Sequence, residues 1–592
     1  DTYLPSHYGL KQNWLHNSGI KILNVYEHFT WMNYKDLPTD LMEVYKMHKK
    51  LASYNEGTGD EYEIWNEQDG SFLYEPADKY SSYHKAAALG ISDGASDALV
   101  SFGGLAGSRE DPFDRLMLAN DVMSYSDYYS YHAHIDSGRG LKAIDYPQGK
   151  ALGHVIMANA YNNDKPVWMN EGGISIPVDE NNVAYRESQL SQARYYIVSN
   201  AQAMAMGDDK RSWFRLGYFM EHGNTYGCHS ENMCPYVVVN SISAFTNVMG
   251  KGTYKGELAN LPEGAEGYVF DSGKGDVAVI WCKNEDAVEF NSNSRVKVTN
   301  FVGGEAYSEP NGGKVRVPVS YYPVFVSFDG EMDKSEYIPQ SYKNKEEKRT
   351  SYSENDRIVI QQEWDDENLS KARSNGYMVD WDEKQKIKVR VYNFNETPQS
   401  GTLTIKTGSN ILASDVLVPD MDKIEFSVPA MSVMEYPVTV SLSDKAKMGD
   451  AGYFMIEGML ADGRKLSPTK ARFTTSNVGR TVEDYTLFED YENPGAWDTT
   501  NVGDCKAVIT HSDEEDALQF HLKFNKLNWA WPRIDVKDSN VLAGTQGITF
   551  KVKNAVKGQD NMINVFVYYA DGTNYWLAMG GHFATTDEWT QV

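Results

Sequence analysis

The stretch PVWMNEGG, residues 166–173, decides how we interpret the fold of the first 250 residues. In this stretch an apolar run ends in Glu171 and two glycines follow, which is typical of a buried strand that leaves its sheet for a loop. The stretch EYEIWNEQDG, residues 61–70, has the same form, and its strand candidate ends at Glu67. Each of the two glutamates therefore ends a predicted strand.

Strand-like apolar runs alternate with amphipathic helical runs from residue 9 to about residue 250. Apolar residues recur at helical spacing in three stretches, from Tyr80 to Ile91, from Leu190 to Ala201 and from Val238 to Met249. This alternation predicts a parallel sheet built from βαβ units. The six strand candidates are residues 20–26, 61–67, 97–104, 127–134, 166–173 and 212–220.

Six βα units fit either a doubly wound open sheet or a barrel. The two glutamates lie three strands apart, which would place them on facing sides of a barrel mouth, so we favour the barrel. A (β/α)8 TIM-type barrel needs two more strands, and residues 9–19 are typical of a helix that ends at a glycine. We therefore expect an α/β fold in which residues 1–250 form a catalytic barrel without its first two strands. Alone, such a chain is predicted to fold poorly and to be inactive, because two sheet edges are exposed.

After residue 250 the sequence changes to short alternating strands separated by Gly, Asn and Asp, which predicts all-β sandwich domains. Residues 251–335 are predicted to form a β-sandwich associated with the barrel. A Lys- and Glu-rich stretch, residues 341–356, is interpreted as a linker. Residues 336–480 are predicted to form an Ig-like sandwich, and residues 481–592 a jelly-roll module resembling a carbohydrate-binding domain, incomplete at its C-terminus.

Composition excludes several classes of protein. A chain of 592 residues is too long for one hydrophobic core. A net charge of -27 argues against binding to nucleic acid or to an anionic membrane surface, and no run is long and apolar enough for a membrane span. Four cysteines provide no disulfide framework, and Cys228 and Cys234 are either bridged or reduced. The 13 Trp and 39 Tyr suit stacking on sugar rings, or an ordinary sandwich core.

Two carboxylic side chains on opposite sides of a bond are what retaining glycoside hydrolysis requires. One protonates the leaving oxygen while the other attacks the anomeric carbon. The dipeptide Asn-Glu also occurs at Glu56, Glu285 and Glu396, but these lie in a loop or in the sandwich region. Only Glu67 and Glu171 end strands in the alternating part of the chain, where barrel enzymes place their catalytic groups.

A resemblance to a known family adds to this interpretation. Trp-Asn-Glu after a fourth strand, with a second glutamate after the seventh, resembles the pattern of glycoside hydrolase clan A. The runs EIWNEQDGSF and WMNEGG, followed by sandwiches, look most like family 86, whose members are β-agarases and β-porphyranases; family 39 has a similar Trp-Asn-Glu. The resemblance covers residues 9–335. It implies that Glu67 is the general acid/base, that Glu171 is the nucleophile, and that Asn66 binds the sugar hydroxyl beside the reacting carbon.

Other residues are candidates for substrate binding. Tyr131, His132 and His134 end a strand candidate, and His132 matches a clan position that contacts sugar or nucleophile, although a core histidine is the alternative. Further candidates are Trp31, Phe72 and Tyr74 for stacking on a sugar, Arg109 for a sulfate ester, and Glu221, beside His222, as a second-choice carboxylate; Trp213 is predicted to be core.

Three functions remain open at this point. The first is a secreted, periplasmic or cell-surface endo-glycosidase that degrades agarose or porphyran. The second is an exo-glycosidase of the family 39 type, resembling a β-xylosidase, and the third is a non-catalytic polysaccharide-binding protein. Export is inferred from the polymeric substrate, since the first ten residues lack the features of a signal peptide. No cofactor or metal is expected at the site, because His-x-His has no third ligand nearby in sequence, although a sandwich domain could hold a structural calcium ion.

Overall fold

The structure is a computed structural model, and it describes most of the chain up to residue 475 and shorter pieces beyond. The described ranges are residues 14–26, 37–70, 72–73, 75–107, 112–136, 146–161, 164–221, 223–340, 345–365, 376–379, 384–408, 416–446, 451–475, 493–499, 505–524, 532–534, 550–554, 565–568, 574–577 and 589–591.

Six parallel strands form the first part of the chain, and each neighbours the next in the order of the sequence. A single bridge between Leu105 and Tyr131 connects the third strand to the fourth. The strands are β1 Leu23–Tyr26, β2 Glu61–Ile64, β3 Leu99–Phe102, β4 Tyr129–Asp136, β5 Val167–Pro177 and β6 Lys210–Trp213.

A helix connects each of these strands to the next, and another follows the sixth. This alternation is the predicted βαβ pattern. The helices are α1 Leu41–Tyr54, α2 Ala77–Gly94, α3 Pro112–Ala119, α4 Tyr146–Tyr161, α5 Arg186–Ala205 and α6 Val237–Met249. Short 3₁₀ turns occupy Val122–Tyr125, Lys334–Glu336 and Pro494–Ala496.

The six strands form two hydrogen-bonded sheets, β1–β3 and β4–β6, and together these sheets curve, because side chains of strands that are not neighbours meet. Lys210 of β6 forms an ion pair with Glu61 of β2, although three strands lie between them. The Lys210 ammonium also lies 4.0 Å from the centroid of the Trp168 ring in β5. Closure into an eight-stranded barrel stays a prediction.

The sixth strand differs from its prediction. It covers Lys210–Trp213, whereas residues 212–220 were expected. The strand ends at Trp213, although the Phe214 amide still donates to the Gly172 carbonyl over 2.9 Å, and the Phe214 ring packs against His134 and Tyr226. Two short antiparallel strands follow, β7 Met220–Glu221 and β8 Asn224–Thr225, and β8 pairs with the end of β5.

The next unit is a β-sandwich that packs on α5 and α6. Valine, phenylalanine and tyrosine side chains of its larger sheet share a core with both helices. The strands are β9 Thr253–Leu258, β10 Ala265–Asp271, β11 Asp276–Cys282, β12 Asp286–Asn291, β13 Val296–Asn300, β14 Glu305–Ser308, β15 Lys314–Val319, β16 Val324–Ser327 and β17 Tyr337–Pro339. Seven form a sheet in the order β14-β13-β16-β11-β10-β9-β17, while β12 and β15 pair separately and cover its other face.

A second sandwich follows, with one core between its two sheets. Its sheets have the orders β18-β20-β24-β22 and β19-β26-β25-β21-β23. The strands are β18 Ile358–Trp364, β19 Tyr377–Val379, β20 Gln385–Asn393, β21 Gln399–Gly408, β22 Leu417–Pro419, β23 Lys423–Val428, β24 Ser432–Leu442, β25 Ala451–Leu460 and β26 Thr469–Thr475.

The last part of the chain is described only as four strand pairs, so the jelly-roll module stays a prediction. These strands are β27 Trp497–Asp498, β28 Cys505–Ser512, β29 Ala517–Phe524, β30 Arg533–Ile534, β31 Lys551–Val552, β32 Val565–Tyr568, β33 Asn574–Leu577 and β34 Thr590–Gln591. Across all the described ranges, no helix has the length and apolar character that crossing a bilayer requires.

Residues 345–356, which we call the strap, do not form the free linker that their charge predicted. The Lys345 amide donates to Asp209 Oδ1 over 3.0 Å, just before β6. The Tyr352 ring stacks on Tyr125, with centroids 5.6 Å apart, just before β4. The charged side chains of the strap also have partners, since Arg349 donates to the Ser92 and Ser96 carbonyls and Glu347 pairs with Lys21, and composition alone does not reveal such contacts.

Helix α2 is buried on nearly all sides, because the second sandwich covers the face that the parallel sheet does not. Asp78, in its first turn, accepts a hydrogen bond of 3.0 Å from the Tyr377 hydroxyl. Burial raises the pKa of Asp78 to about 7. Near the other end of the helix, both carboxylate oxygens of Asp93 accept hydrogen bonds from Arg357. Burial alone would raise the pKa of Asp93, but the hydrogen bonds from Arg357 and Tyr45 outweigh burial, so the pKa of Asp93 is lowered.

We expect the replacement Asp78→Asn to stabilise the protein increasingly as pH rises from about 4 to about 7. The folded-state pKa of Asp78 is above its unfolded value, so its contribution is present at acid pH and is lost as pH rises through 7. The gain at pH 8 is expected to be a few kcal/mol, because a tenfold difference in proton affinity between the folded and unfolded states corresponds to about 1.4 kcal/mol.

Melting temperatures of both proteins at pH 5 and pH 8 test this expectation. Asp93→Asn is the control from the same helix, and its effect has the opposite sign: the lowered pKa stabilises at neutral pH, so this variant should lose stability there and less at acid pH. A constant difference between Asp78→Asn and the parent protein at all pH values would contradict the prediction.

Candidate active site

Glu67 lies just beyond β2, where the backbone turns out of the sheet. Trp65 has a φ of 79° and Glu67 a φ of 43°, both in the left-handed region that residues other than glycine adopt rarely. The buried Trp65 ring anchors this turn, since its Nε1–H donates to the Phe72 carbonyl over 3.3 Å. The Glu67 amide donates to the Gly104 carbonyl over 3.1 Å. The Glu67 carboxylate therefore projects from a backbone that is held at several points.

Two histidines of β4 join the carboxylates of Glu67 and Glu171 into one cluster. His132 Nδ1–H donates to Glu67 Oε1 over 2.9 Å, and the same nitrogen lies 3.9 Å from Glu171 Oε2. His134 Nε2 lies 3.3 Å from Glu171 Oε2. His132 and Glu171 are paired in register on neighbouring strands, and residues two apart on a strand share a face. Both rings therefore point toward the carboxylates.

The shared imidazole nitrogen limits the distance between the two carboxylates. Glu67 Oε1 and Glu171 Oε2 lie 2.9 and 3.9 Å from His132 Nδ1, so these two oxygens are less than about 7 Å apart. Carboxyl groups about 5 to 5.5 Å apart are typical of retaining glycosidases, whereas inverting enzymes separate them by about 6.5 to 9.5 Å. The two side chains are 20% and 29% exposed, so a substrate can reach them.

Charges within the cluster favour an ionised Glu171. Burial raises the pKa of Glu171, but the hydrogen bond from His134 and the positive charge of His132 outweigh burial and lower it. Burial lowers the pKa of His132, but the hydrogen bond to Glu67 and the charges of Glu171 and Glu63 outweigh that and raise it. At pH 6 the cluster therefore contains a carboxylate at Glu171 and an imidazolium at His132.

Gly104 leaves the space that the His132 ring occupies. A Cβ atom at Gly104 would lie 2.0 Å from His132 Nε2 and 2.1 Å from its Cδ2, far inside van der Waals contact. Gly104 lies two residues after the end of β3, so the chain that leaves this strand forms the wall behind the imidazole. Only glycine at this position allows His132 to contact both carboxylates.

A third carboxylate, Glu63, lies one layer below the cluster and was not identified from the sequence. It is buried in β2, and it accepts hydrogen bonds from the Ser130 hydroxyl and the Asn170 amide of β4 and β5. The Asn170 amide also donates to Ser130 Oγ over 2.9 Å. Burial raises the pKa of Glu63 to about 7. This network connects the three strands that position Glu67, His132 and Glu171.

The other predicted site residues lie in different surroundings, and not all of them are near the cluster. Asn66 is half-buried beside Glu67, and its Oδ1 has no hydrogen-bond partner among the residues that the structure describes. Tyr131 is not brought to the cluster, because alternation along β4 turns its ring to the other face, where its hydroxyl donates to Asp208 over 3.3 Å. Phe72 contributes its carbonyl to the Trp65 turn. Glu221 is exposed on β7, and within the described ranges the structure shows no contact between it and either glutamate.

Some predictions fall outside the described residues or concern the core. Trp31, Tyr74, Arg109 and His222 lie outside the described ranges, so their roles stay predictions. The Trp213 ring packs against Tyr195 and Tyr196 of α5 and belongs to the core beneath β6, as predicted. The four cysteines, at 228, 234, 282 and 505, are free thiols.

The cluster contains a set of donors that suits a metal ion. Glu67, His132 and His134 each offer one ligand atom, and these atoms lie within 4.8 Å of one another. The sequence indicated only the two histidines as possible ligands, because the third ligand, Glu67, follows β2 and lies about 65 residues earlier in the chain. Two imidazoles with one carboxylate are a donor set that binds zinc in hydrolases.

Comparisons with known proteins gave matches only among solved structures. No protein-family model and no curated protein matches this chain. The chain is similar to a family 39 glycoside hydrolase from the gut symbiont Bacteroides cellulosilyticus WH2, with 16% identity and a TM-score of 0.44, over 55% of this chain and 71% of that one.

Two further solved structures are similar to this chain, one of a xylanase and one of a protein bound to neoagarooctaose. A family 30 subfamily 8 xylanase from Clostridium acetobutylicum is 13% identical, with a TM-score of 0.41, over 56% of this chain and 85% of that one. The protein BuGH86, in complex with neoagarooctaose, is 10% identical, with a TM-score of 0.38, over 80% of this chain and 84% of that one. These solved neighbours are glycoside hydrolases. The three TM-scores are below 0.5, so these likenesses carry no argument about the function of this chain.

Proposed function

We propose that this chain is the catalytic part of a retaining glycoside hydrolase, with Glu171 as nucleophile and Glu67 as general acid/base. The observation that carries the proposal is that both carboxylates meet one imidazole nitrogen, which keeps their facing oxygens less than about 7 Å apart. A separation below this limit is compatible with direct attack by one carboxylate while the other transfers a proton.

In the first step, a Glu171 carboxylate oxygen attacks the anomeric carbon and forms a glycosyl ester. The bond from that carbon to the leaving oxygen breaks, its electron pair stays on the oxygen, and Glu67 supplies the proton. The lowered pKa of Glu171 keeps it ionised for the attack. The hydrogen bond between His132 and Glu67 fixes the carboxyl from which the proton departs.

In the second step, water attacks the same carbon and Glu67 accepts the proton from that water. The ester bond breaks and Glu171 leaves as a carboxylate. A carboxylate that is hydrogen-bonded by His134 and faces the charge of His132 is a good leaving group, for the same reason that its pKa is low. Asn66, whose buried Oδ1 has no partner among the described residues, is proposed to bind the sugar hydroxyl beside the reacting carbon once substrate is present.

The proposed substrate is a red-algal galactan, agarose or porphyran, cleaved within the chain at β-galactosidic bonds. This part of the proposal is supported by the resemblance of residues 61–70 and 166–173 to family 86 and not by the geometry of the cluster. A polymer of this kind cannot enter a cell, so we propose that the protein acts outside the cytoplasm. We also propose that hydrolysis requires no cofactor.

We expect the protein to convert agarose or porphyran into a ladder of oligosaccharides and to leave xylan intact. Product size, measured by chromatography, separates this result from the single monosaccharide that an exo-glycosidase releases. Proton NMR during the first minutes should show the β-anomer of the new reducing end, since double displacement retains configuration. Early appearance of the α-anomer, or no hydrolysis of any of the three polymers, would contradict the proposal.

A further inference from the structure

Glu67, His132 and His134 form a site of defined composition and geometry within the cluster. The two histidines are separated by one residue on β4 and present their rings to the same face, while Glu67 approaches from the end of β2. The three ligand atoms lie within 4.8 Å of one another. His132 is 1% exposed and is confined by Gly104, so one imidazole is already fixed in place.

One of these separations, between His132 and Glu67, is close to what a zinc ion requires, and the others lie within 4.8 Å. With bonds of about 2.0 to 2.2 Å to nitrogen and oxygen, the ligand atoms of tetrahedral zinc are about 3.3 Å apart. His132 Nδ1 and Glu67 Oε1 are 2.9 Å apart. Glu171 Oε2 lies 3.3 Å from His134 Nε2, beside the three ligands, where it can hydrogen-bond a water in the fourth position. Imidazole donors favour zinc over calcium or magnesium, which prefer oxygen.

We propose that Glu67, His132 and His134 bind a zinc ion, and that zinc in this position inhibits hydrolysis. Binding requires only the three donors and does not depend on the proposed function. Inhibition does depend on it: an ion bound to the Glu67 carboxylate keeps that group ionised, so it has no proton to transfer, and the ion also holds both imidazoles that contact the carboxylates.

We expect moderate affinity. The outer ring nitrogens, His132 Nε2 and His134 Nδ1, have no hydrogen-bond partner in the described part of the chain. Outer partners that orient a ligating histidine typically contribute 10- to 100-fold to metal affinity. A dissociation constant on the order of micromolar at pH 7.5 is therefore expected, and not the much tighter binding of a structural zinc site.

Isothermal titration of the complete protein with zinc chloride tests the proposal. One ion per chain is expected. His134→Gln and, as a second variant in case the first unfolds, Glu67→Gln should each weaken binding by at least about 10-fold, the effect typical of losing one contributor to a metal site. His229→Gln removes a histidine outside the cluster and should bind zinc like the parent. Circular dichroism checks that each variant is folded.

Glu171→Gln separates this inference from the proposed function, because it should abolish hydrolysis and still bind one zinc ion per chain, since Glu171 is not one of the three ligands. A parent that hydrolyses polysaccharide should also lose activity with zinc and regain it with EDTA. Absence of zinc binding by the parent, or undiminished binding by folded His134→Gln and Glu67→Gln, would overturn the zinc site while leaving the glycosidase standing. Zinc binding without hydrolysis of any polymer would support the site and reject the glycosidase.

Discussion

Replacing Glu171 by Gln is expected to lower kcat/KM on the polysaccharide by about 10⁴-fold or more, because the amide cannot form the glycosyl ester on which double displacement depends. The amide has nearly the same shape as the carboxylate, so the fold and the contact with His134 should be largely preserved. The reducing-sugar assay on agarose or porphyran gives the rate. Substrate binding, measured by affinity electrophoresis, should remain.

Two other glutamates make this test specific. Glu67→Gln should lose about 10²- to 10⁴-fold on the polymer, the usual contribution of a general acid, and much less on an aryl glycoside whose leaving group needs no proton. Glu221→Gln, on an exposed residue of β7, should keep the parent rate. If Glu171→Gln retained the parent rate, or if Glu221→Gln were the inactive variant, the assignment of the nucleophile would be refuted.

Replacing Gly104 by Ala is expected to lower kcat by about 10²-fold or more while the protein stays folded. The added methyl group would meet the His132 ring at about 2 Å, so the ring must move, and it is this ring that contacts both carboxylates. Displacement of catalytic groups by about 1 Å commonly costs 10²-fold in rate. Overpacking of this kind typically costs about 1 to 3 kcal/mol of stability, which a large domain tolerates.

Gly408→Ala is the matched control for this prediction. Gly408 ends β21, and a Cβ atom there would meet nothing within 4 Å. We expect the same rate as in the parent. Equal rates for Gly104→Ala and the parent would show that the position of His132 does not matter for hydrolysis, and that the proposed role of the shared imidazole is mistaken.

The parallel strands of the first 250 residues could be predicted because a buried strand is an apolar run with clear ends. The run DYYSYHAH marked β4, and PVWMNEGG marked β5. The sixth strand was predicted at residues 212–220 and lies at 210–213, because Phe214 is apolar whether it continues a strand or packs against a neighbouring ring. Periodicity does not distinguish these two cases.

The candidate site was only partly predictable. Glu67 and Glu171 could be placed together because strand ends of one parallel sheet meet at one edge. The third carboxylate could have been noticed, since Glu63 is an acidic residue at an inward position of an otherwise buried strand. The space beside Gly104 and the approach of Glu67 to His134 could not, because both depend on three-dimensional distances between segments far apart in sequence.

The strap has a consequence for how this protein can be divided or recombined. A piece that ends at residue 340, just after β17 of the first sandwich and before the strap, would leave the carboxylate of Asp209 without the amide of Lys345. It would also uncover the Tyr125 ring, which Tyr352 covers in the intact chain. Gene fusions that exchange the second sandwich for another module would therefore need to keep residues 345–356 with the catalytic half, and evolution faces the same constraint when it shuffles such modules.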